Sequence, residues 1–156
     1  MHVVRPATQE DEESVFRLAT QLSPKFVVER AAFSVAFAQL IEAEDVYLHV
    51  AGASGSVVAY LLGWSRLAFY SNGAVGWIQE IVVHPEHRRL GVGKLLTAHF
   101  ESWSAERGGR LVSLATRGAS DFYLALGYRE SATYYKKPIQ PNQAPETTAP
   151  SGRGSS

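Results

Sequence analysis

The 156-residue chain contains no cysteine and only one methionine. The lack of cysteine excludes a disulfide framework, a thiolate nucleophile and a cysteine-ligated zinc site, and it is compatible with a reducing compartment. Net charge is missing too, because fifteen Lys and Arg balance fifteen Asp and Glu. Without a general positive field, neither nucleic acid nor an anionic membrane is expected as a partner, and any anion site has to be local. No uninterrupted apolar run approaches the roughly 20 residues that cross a bilayer. The opening MHVVRPATQEDEESVF has neither the basic start nor the apolar stretch of a signal peptide. A cytoplasmic setting is therefore expected. No internal repeat is evident. What is present suits one folded domain: 46% hydrophobic and 19% charged residues, in a length that can bury a sizeable core.

Along the chain, HVVRP (2–6) reads as a first strand and ATQEDEESVFRLATQLS as a helix. Thr8 is its candidate N-cap, with Asp11 three residues on, a near relative of the capping box. Val15, Leu18, Ala19 and Leu22 give that helix one apolar face, and Pro24 ends it. A second helix is expected over Glu29–Ala43, with Phe33, Phe37, Leu40 and Ile41 at helical spacing. VYLHVAG and SVVAYLLGWSRLAF are strand-like runs joined through GASGS, the signature of an antiparallel hairpin. GWIQEIVVH is a further strand, followed by a helix from Gly91 to Arg107 whose apolar stripe is Val92, Leu95, Leu96, Phe100 and Trp103. RLVSLAT is a strand, ASDFYLAL a short helix, and YRESATYYKK is expected to add one or two last strands. Strands that alternate with helices yet include a hairpin predict a mixed α/β sheet covered on both faces. From Pro138 the text becomes PIQPNQAPETTAPSGRGSS, with four prolines and isolated apolar residues. The expected division is a domain over 1–137 and a disordered tail over 138–156.

HPEHRRLGVGK (84–94) places arginines, glycines and a lysine where a strand gives way to a helix. The first N–H groups of a helix lack helical partners and carry partial positive charge, so an anion, a phosphate in particular, is expected there. Two familiar loops fail. A Walker A loop needs Gly where Arg88 stands and Ser or Thr where Leu95 stands. A dinucleotide fingerprint needs a third Gly at position 96, which is Leu. A plain helix start with surface arginines is the competing account. Glu80 is the only charge within VGWIQEIVVH, where burial would raise its pKa toward that of a useful base. By alternation it shares a face with Ile78 and Val82. The competing account has it in a buried ion pair or reaching solvent at a strand edge. His84 and His87 read as exposed loop residues rather than metal ligands, and no metal is expected. His99 reads as a core or boundary histidine.

Arg88-Arg89-Leu90-Gly91-Val92-Gly93 resembles the R/Q-x-x-G-x-G/A signature of the GNAT superfamily of N-acetyltransferases. ASDFYLALGYRE resembles the A-x-x-x-Y-x-x-x-G-[FY] segment of the same family, and the order of elements agrees over roughly residues 2–137. The resemblance implies a GNAT fold: a mixed sheet, antiparallel in its N-terminal part, with a splayed parallel pair at the coenzyme site. It implies acetyl-coenzyme A as acyl donor, paired with the backbone of Ile81, Val82 and Val83. Its diphosphate would sit on the loop Arg88, Arg89, Leu90, Gly91, Val92, Gly93 and Lys94. Arg89 and Lys94 could equally be solvated. The same resemblance makes Tyr123 a general acid near the sulfur, with a packing aromatic as its rival, and the Val82 amide the oxyanion contact. Thr116 stands where the family often has Asn.

The chemistry asks for a base independently of any resemblance. A primary amine of pKa ~10.4 is mostly protonated at neutral pH and cannot attack a thioester in that form. Glu80 is the expected base. The resemblance places the acceptor site among QLSPKFVVER, RLAFYSNG and ATYYKK, which are aromatic and contain few acids, so a small-molecule amine is favoured over a protein or peptide amine. A homodimer is expected from the superfamily. An acyl-coenzyme A-binding sensor without turnover stays open as the alternative.

Overall fold

The structure is a computed structural model and describes residues 1–22 and 24–140. The expected tail from 141 onward lies outside the described residues, and residues 138–140 form no helix or strand.

Five strands make one sheet in chain order: β1 (Val3–Pro6), β2 (Val46–Ala53), β3 (Ser56–Ala68), β4 (Gly73–Val83) and β5 (Gly109–Leu114). The first four are antiparallel to their neighbours, and β5 runs parallel to β4. The α-helices are α1 (Glu12–Ala19), α2 (Arg30–Leu40), α3 (Val92–Glu106) and α4 (Ser120–Ala125). The hairpin between β2 and β3 turns on Ser54 and Gly55, at φ 51° and 81°. Two positive φ values in a two-residue turn match the right-handed strand twist, which is why Ala53 and Ser56 can pair directly. The Thr8 N–H donates to the Asp11 carboxylate at 2.8 Å. These expected capping residues serve a 3₁₀ turn over Gln9–Asp11 that leads into α1.

Hydrophobic burial sorts the sheet into two faces. Val15, Leu18 and Ala19 of α1 and Phe37 of α2 pack on Leu48, Val50, Tyr60, Leu62 and Val82. Val92, Leu96 and Phe100 of α3 pack on Tyr47, Ala51, Ala59, Leu61 and Ile78. Gly63 permits the second contact, since a Cβ there would lie 2.6 Å from the Trp77 carbonyl oxygen and 2.6 Å from the Phe100 ring.

The last strands expected from YRESATYYKK do not form, and residues 128–140 join no ladder. The segment has no Gly, Asn, Asp or Pro between Tyr128 and Lys137 to turn a hairpin, and its apolar residues do not alternate. It turns back instead, with the Tyr134 ring 6.4 Å from that of Trp77 and the Lys136 ammonium 4.4 Å from the centre of the Phe26 ring.

Candidate active site

The central strand breaks its own alternation. Leu62 pairs with Glu80 but Gly63 pairs with Ile78, so Gln79 is an extra residue and β4 carries a β-bulge. Glu80 was expected on one face with Ile78 and Val82. In the fold, Val82 belongs to the cluster under α1 and α2, and Glu80 faces the same side. Ile78 belongs to the cluster under α3. The extra residue resets the phase of the strand, so the expectation holds for Val82 and fails for Ile78.

Glu80 is half-buried, and the Tyr60 hydroxyl donates to its Oε1 at 2.8 Å. Burial raises the pKa of Glu80, and the Tyr60 hydrogen bond pulls it back down by favouring the ionised form. The Tyr60 phenol is pushed up by burial, then by the Glu80 charge it faces. Both groups border a cavity of about 120 Å³ between the sheet and the helices α1 and α2. Val15, Ala19, Phe33, Phe37, Leu48 and Leu62 are among its apolar walls, and among the described residues no basic side chain lines it. Sequence reasoning missed Tyr60. Its signal was the polar hydroxyl in the apolar run VVAYLLG, which needs a buried partner.

Beside Glu80 the sheet opens. Pairing between β4 and β5 ends at Ile78 and Leu114, while β4 runs on through Val83. Among the described residues, that leaves Gln79 to Val83 without a paired strand on the β5 side, a gap of about 15 Å at the strand rise. The His84 N–H donates to the Val58 carbonyl at 2.8 Å. In an antiparallel ladder such bonded pairs recur every second residue, so Val82 also turns its N–H and C=O to β3. Ile81 and Val83 turn theirs into the gap. The expected oxyanion contact from the Val82 amide does not fit this parity, whereas the Ile81 amide does. Arg88 reaches back from the following loop, and its Nε donates to the Val83 carbonyl at 3.1 Å.

At the mouth of the gap, Arg89 and Gly91 adopt left-handed φ values of 63° and 82°, and α3 starts at Val92. The first helical bond runs from the Leu95 N–H to the Gly91 carbonyl. The N–H groups of Val92, Gly93 and Lys94 therefore have no backbone partner among the described residues and point out of the helix start. Arg89, Leu90 and Lys94 are exposed around them. This cradle of free amides fits a diphosphate. The two glycines do different jobs. Gly91 supplies the left-handed N-cap and has open space around it. A Cβ on Gly93 would meet the Phe122 ring at 3.3 Å, so its smallness admits α4 rather than an anion.

Tyr123 of α4 is 6% exposed, and its phenol is pushed up by burial. It packs edge-on against both Phe122 and Tyr128, and the Tyr128 hydroxyl donates to Glu101 at 2.7 Å. Thr116 Oγ1 accepts from the Ala119 N–H at 3.3 Å and thereby supports the turn into α4. His84 Nδ1 accepts from the Glu86 N–H, and His87 lies 3.3 Å from His2 across the fold. His99, expected at the core or its boundary, is exposed.

An antiparallel half-sheet, a bulged strand and a splayed parallel pair with a glycine-started helix at the opening define the architecture of an acyl-coenzyme A-dependent N-acyltransferase. The sequence profile of the Acetyltransferase (GNAT) family matches residues 12–128, and the chain belongs to that family. It is 31% identical over 140 residues to the aminoalkylphosphonate N-acetyltransferase of Salmonella typhimurium, covering 87% of this chain and 90% of that protein. Among solved structures, a transcriptional regulator from Bacillus halodurans C-125 superposes with a TM-score of 0.82 at 22% identity, over 89% of this chain and 100% of that one. The aminoglycoside N-acetyltransferase AAC(6')-Iy in complex with CoA gives 0.76 at 23% identity, over 88% and 95%. Those two likenesses establish the fold.

Proposed function

We propose that this chain moves the acetyl group of acetyl-coenzyme A to the primary amine of a small molecule, by direct attack while both substrates are bound. The observation that carries the proposal is the convergence of a half-buried carboxylate and an open backbone edge at one point of β4. Acetyl-coenzyme A, when bound, supplies an activated acyl group on a thiolate leaving group. The residues around the opening supply the rest. Ile81 and Val83 offer backbone partners to an extended amide-bearing arm, and the Ile81 N–H is aimed where negative charge develops on the acyl oxygen. The amides of Val92, Gly93 and Lys94 hold the diphosphate, with Arg88 bracing the loop against Val83. Glu80 accepts the proton of the attacking ammonium, directly or through water, and the upward shift of its pKa makes it a stronger base for that task. Tyr123 delivers a proton to the departing thiolate.

The small-molecule acceptor is supported by a relative named for aminoalkylphosphonates and a fold neighbour named for aminoglycosides. A homodimer and a cytoplasmic setting belong to the same proposal, and sedimentation and cell fractionation test them. The deciding experiment incubates purified protein with acetyl-coenzyme A and a panel of primary amines and follows free thiol. Saturable thiol release with an acetylated amine is expected. Coenzyme binding without acetyl transfer to any amine would overturn the proposal in favour of a sensor.

A further inference from the structure

The cavity beside Glu80 is specific in its chemistry. Its walls come from α1, α2, β2 and β3 and are apolar, except where the Tyr60 hydroxyl and the Glu80 carboxylate meet. Folded interiors are close-packed, and an unfilled apolar space of this size is costly to keep. It is also lined by the residue that the proposed reaction uses as base, and it lies against helices whose connection carries the exposed apolar side chains Leu22, Phe26 and Val27. Resting on that reaction, we infer that the cavity is the acceptor's side-chain pocket, and that the acceptor is a monoamine bearing one short, unbranched or singly branched apolar group.

Each part of the inference has a physical source. The ammonium is drawn to Glu80 because, among the described residues, the carboxylate is the only charge lining the cavity. A second charge or a run of hydroxyls inside the cavity would be stripped of water with nothing to replace it. The size follows by proportion. An apolar cavity of about 150 Å³ accepts benzene, with its six carbons, so 120 Å³ takes about five. A phosphonate or sugar ring would have to stay outside the cavity, on the solvent side of Glu80.

The test is a series of straight-chain primary amines from methylamine to octylamine, with acetyl-coenzyme A and thiol release as the readout. These amines share nearly the same basicity, so differences in kcat/KM report binding of the chain. The expected result is a rise of about fourfold per methylene up to four or five carbons, then a plateau or fall. Replacing the terminal methyl of butylamine by a hydroxymethyl group should lower kcat/KM about tenfold or more. Ala36 borders the cavity from α2, and Ala36→Leu should move the optimum toward ethylamine while helix propensity is retained. A kcat/KM that is flat or falling from methylamine onward overturns the inference and leaves the transferase assignment standing. So does an Ala36→Leu profile that matches the parent. No thiol release with any primary amine overturns the assignment beneath it.

Discussion

Replacing Tyr60 by Phe removes one hydroxyl from the site and leaves a ring of the same shape in the core, where Tyr60 is 1% exposed. The lost group is the donor of the 2.8 Å hydrogen bond to Glu80 Oε1. That bond stabilises the ionised carboxylate, so its loss pushes the Glu80 pKa further in the direction in which burial already drives it. A base acts only when ionised. Activity therefore survives above the folded pKa of Glu80 and falls as pH drops through it, and the variant must need a higher pH to reach the same rate. A hydrogen bond to a charged group contributes about 1.5–3 kcal/mol, and about 1.4 kcal/mol corresponds to a factor of ten in proton affinity. On the acidic limb, kcat/KM of Tyr60→Phe should thus fall about tenfold or more, with the alkaline plateau nearly intact. The assay is thiol release with one good amine over the whole pH range in which the protein stays folded. An unmoved limb in Tyr60→Phe, alongside its disappearance in Glu80→Gln, would refute the coupling. An equal drop at every pH would mean that Tyr60 serves only packing.

Glu80→Gln should lower kcat by about 10²–10⁴, with coenzyme affinity retained, as calorimetry would register. The same variant should melt at a higher temperature than the parent at neutral pH. A carboxyl whose folded pKa is raised loses stability as pH climbs past its unfolded value of about 4.3, so the difference should vanish in acid. Gly91→Val puts a β-branched residue at φ 82°, with about 1–2 kcal/mol or more of backbone strain at the start of α3. Coenzyme titration should show at least about a tenfold loss of affinity, and unchanged affinity would contradict the role of the amides. Gly63→Ala forces a methyl group toward the Trp77 carbonyl and the Phe100 ring, which should cost about 1–3 kcal/mol and lower Tm by about 2–10 °C in a thermal melt.

Much of this architecture was readable from local patterns, because local physics decides it. The two positive-φ residues between β2 and β3, the stripe on α3 and the glycine at its start each depend on neighbours a few residues away. Glu80 stood out as a lone charge in an apolar strand. Its surroundings were not readable, because they depend on pairing. Tyr60 meets Glu80 only through the register of β3 on β4, and that register contains a bulge that no residue type announces. The choice between the Ile81 and Val82 amides likewise follows from which residues bond to β3, a fact of the ladder and not of composition. The last segment misled for a different reason. Its tyrosines suit a strand, but nothing in YRESATYYKK turns it, and the rings of Trp77 and Phe26 offer Tyr134 and Lys136 other partners.

The bulge at Gln79 makes strand register an evolutionary variable in its own right. Straightening the bulge without losing a residue would hand the carboxylate to the layer beneath α3, away from the cavity, with every side chain unaltered, whereas deleting Gln79 would leave it where it is. When acceptor choice diverges among relatives, a shift of register in this strand is as informative as substitutions in the pocket.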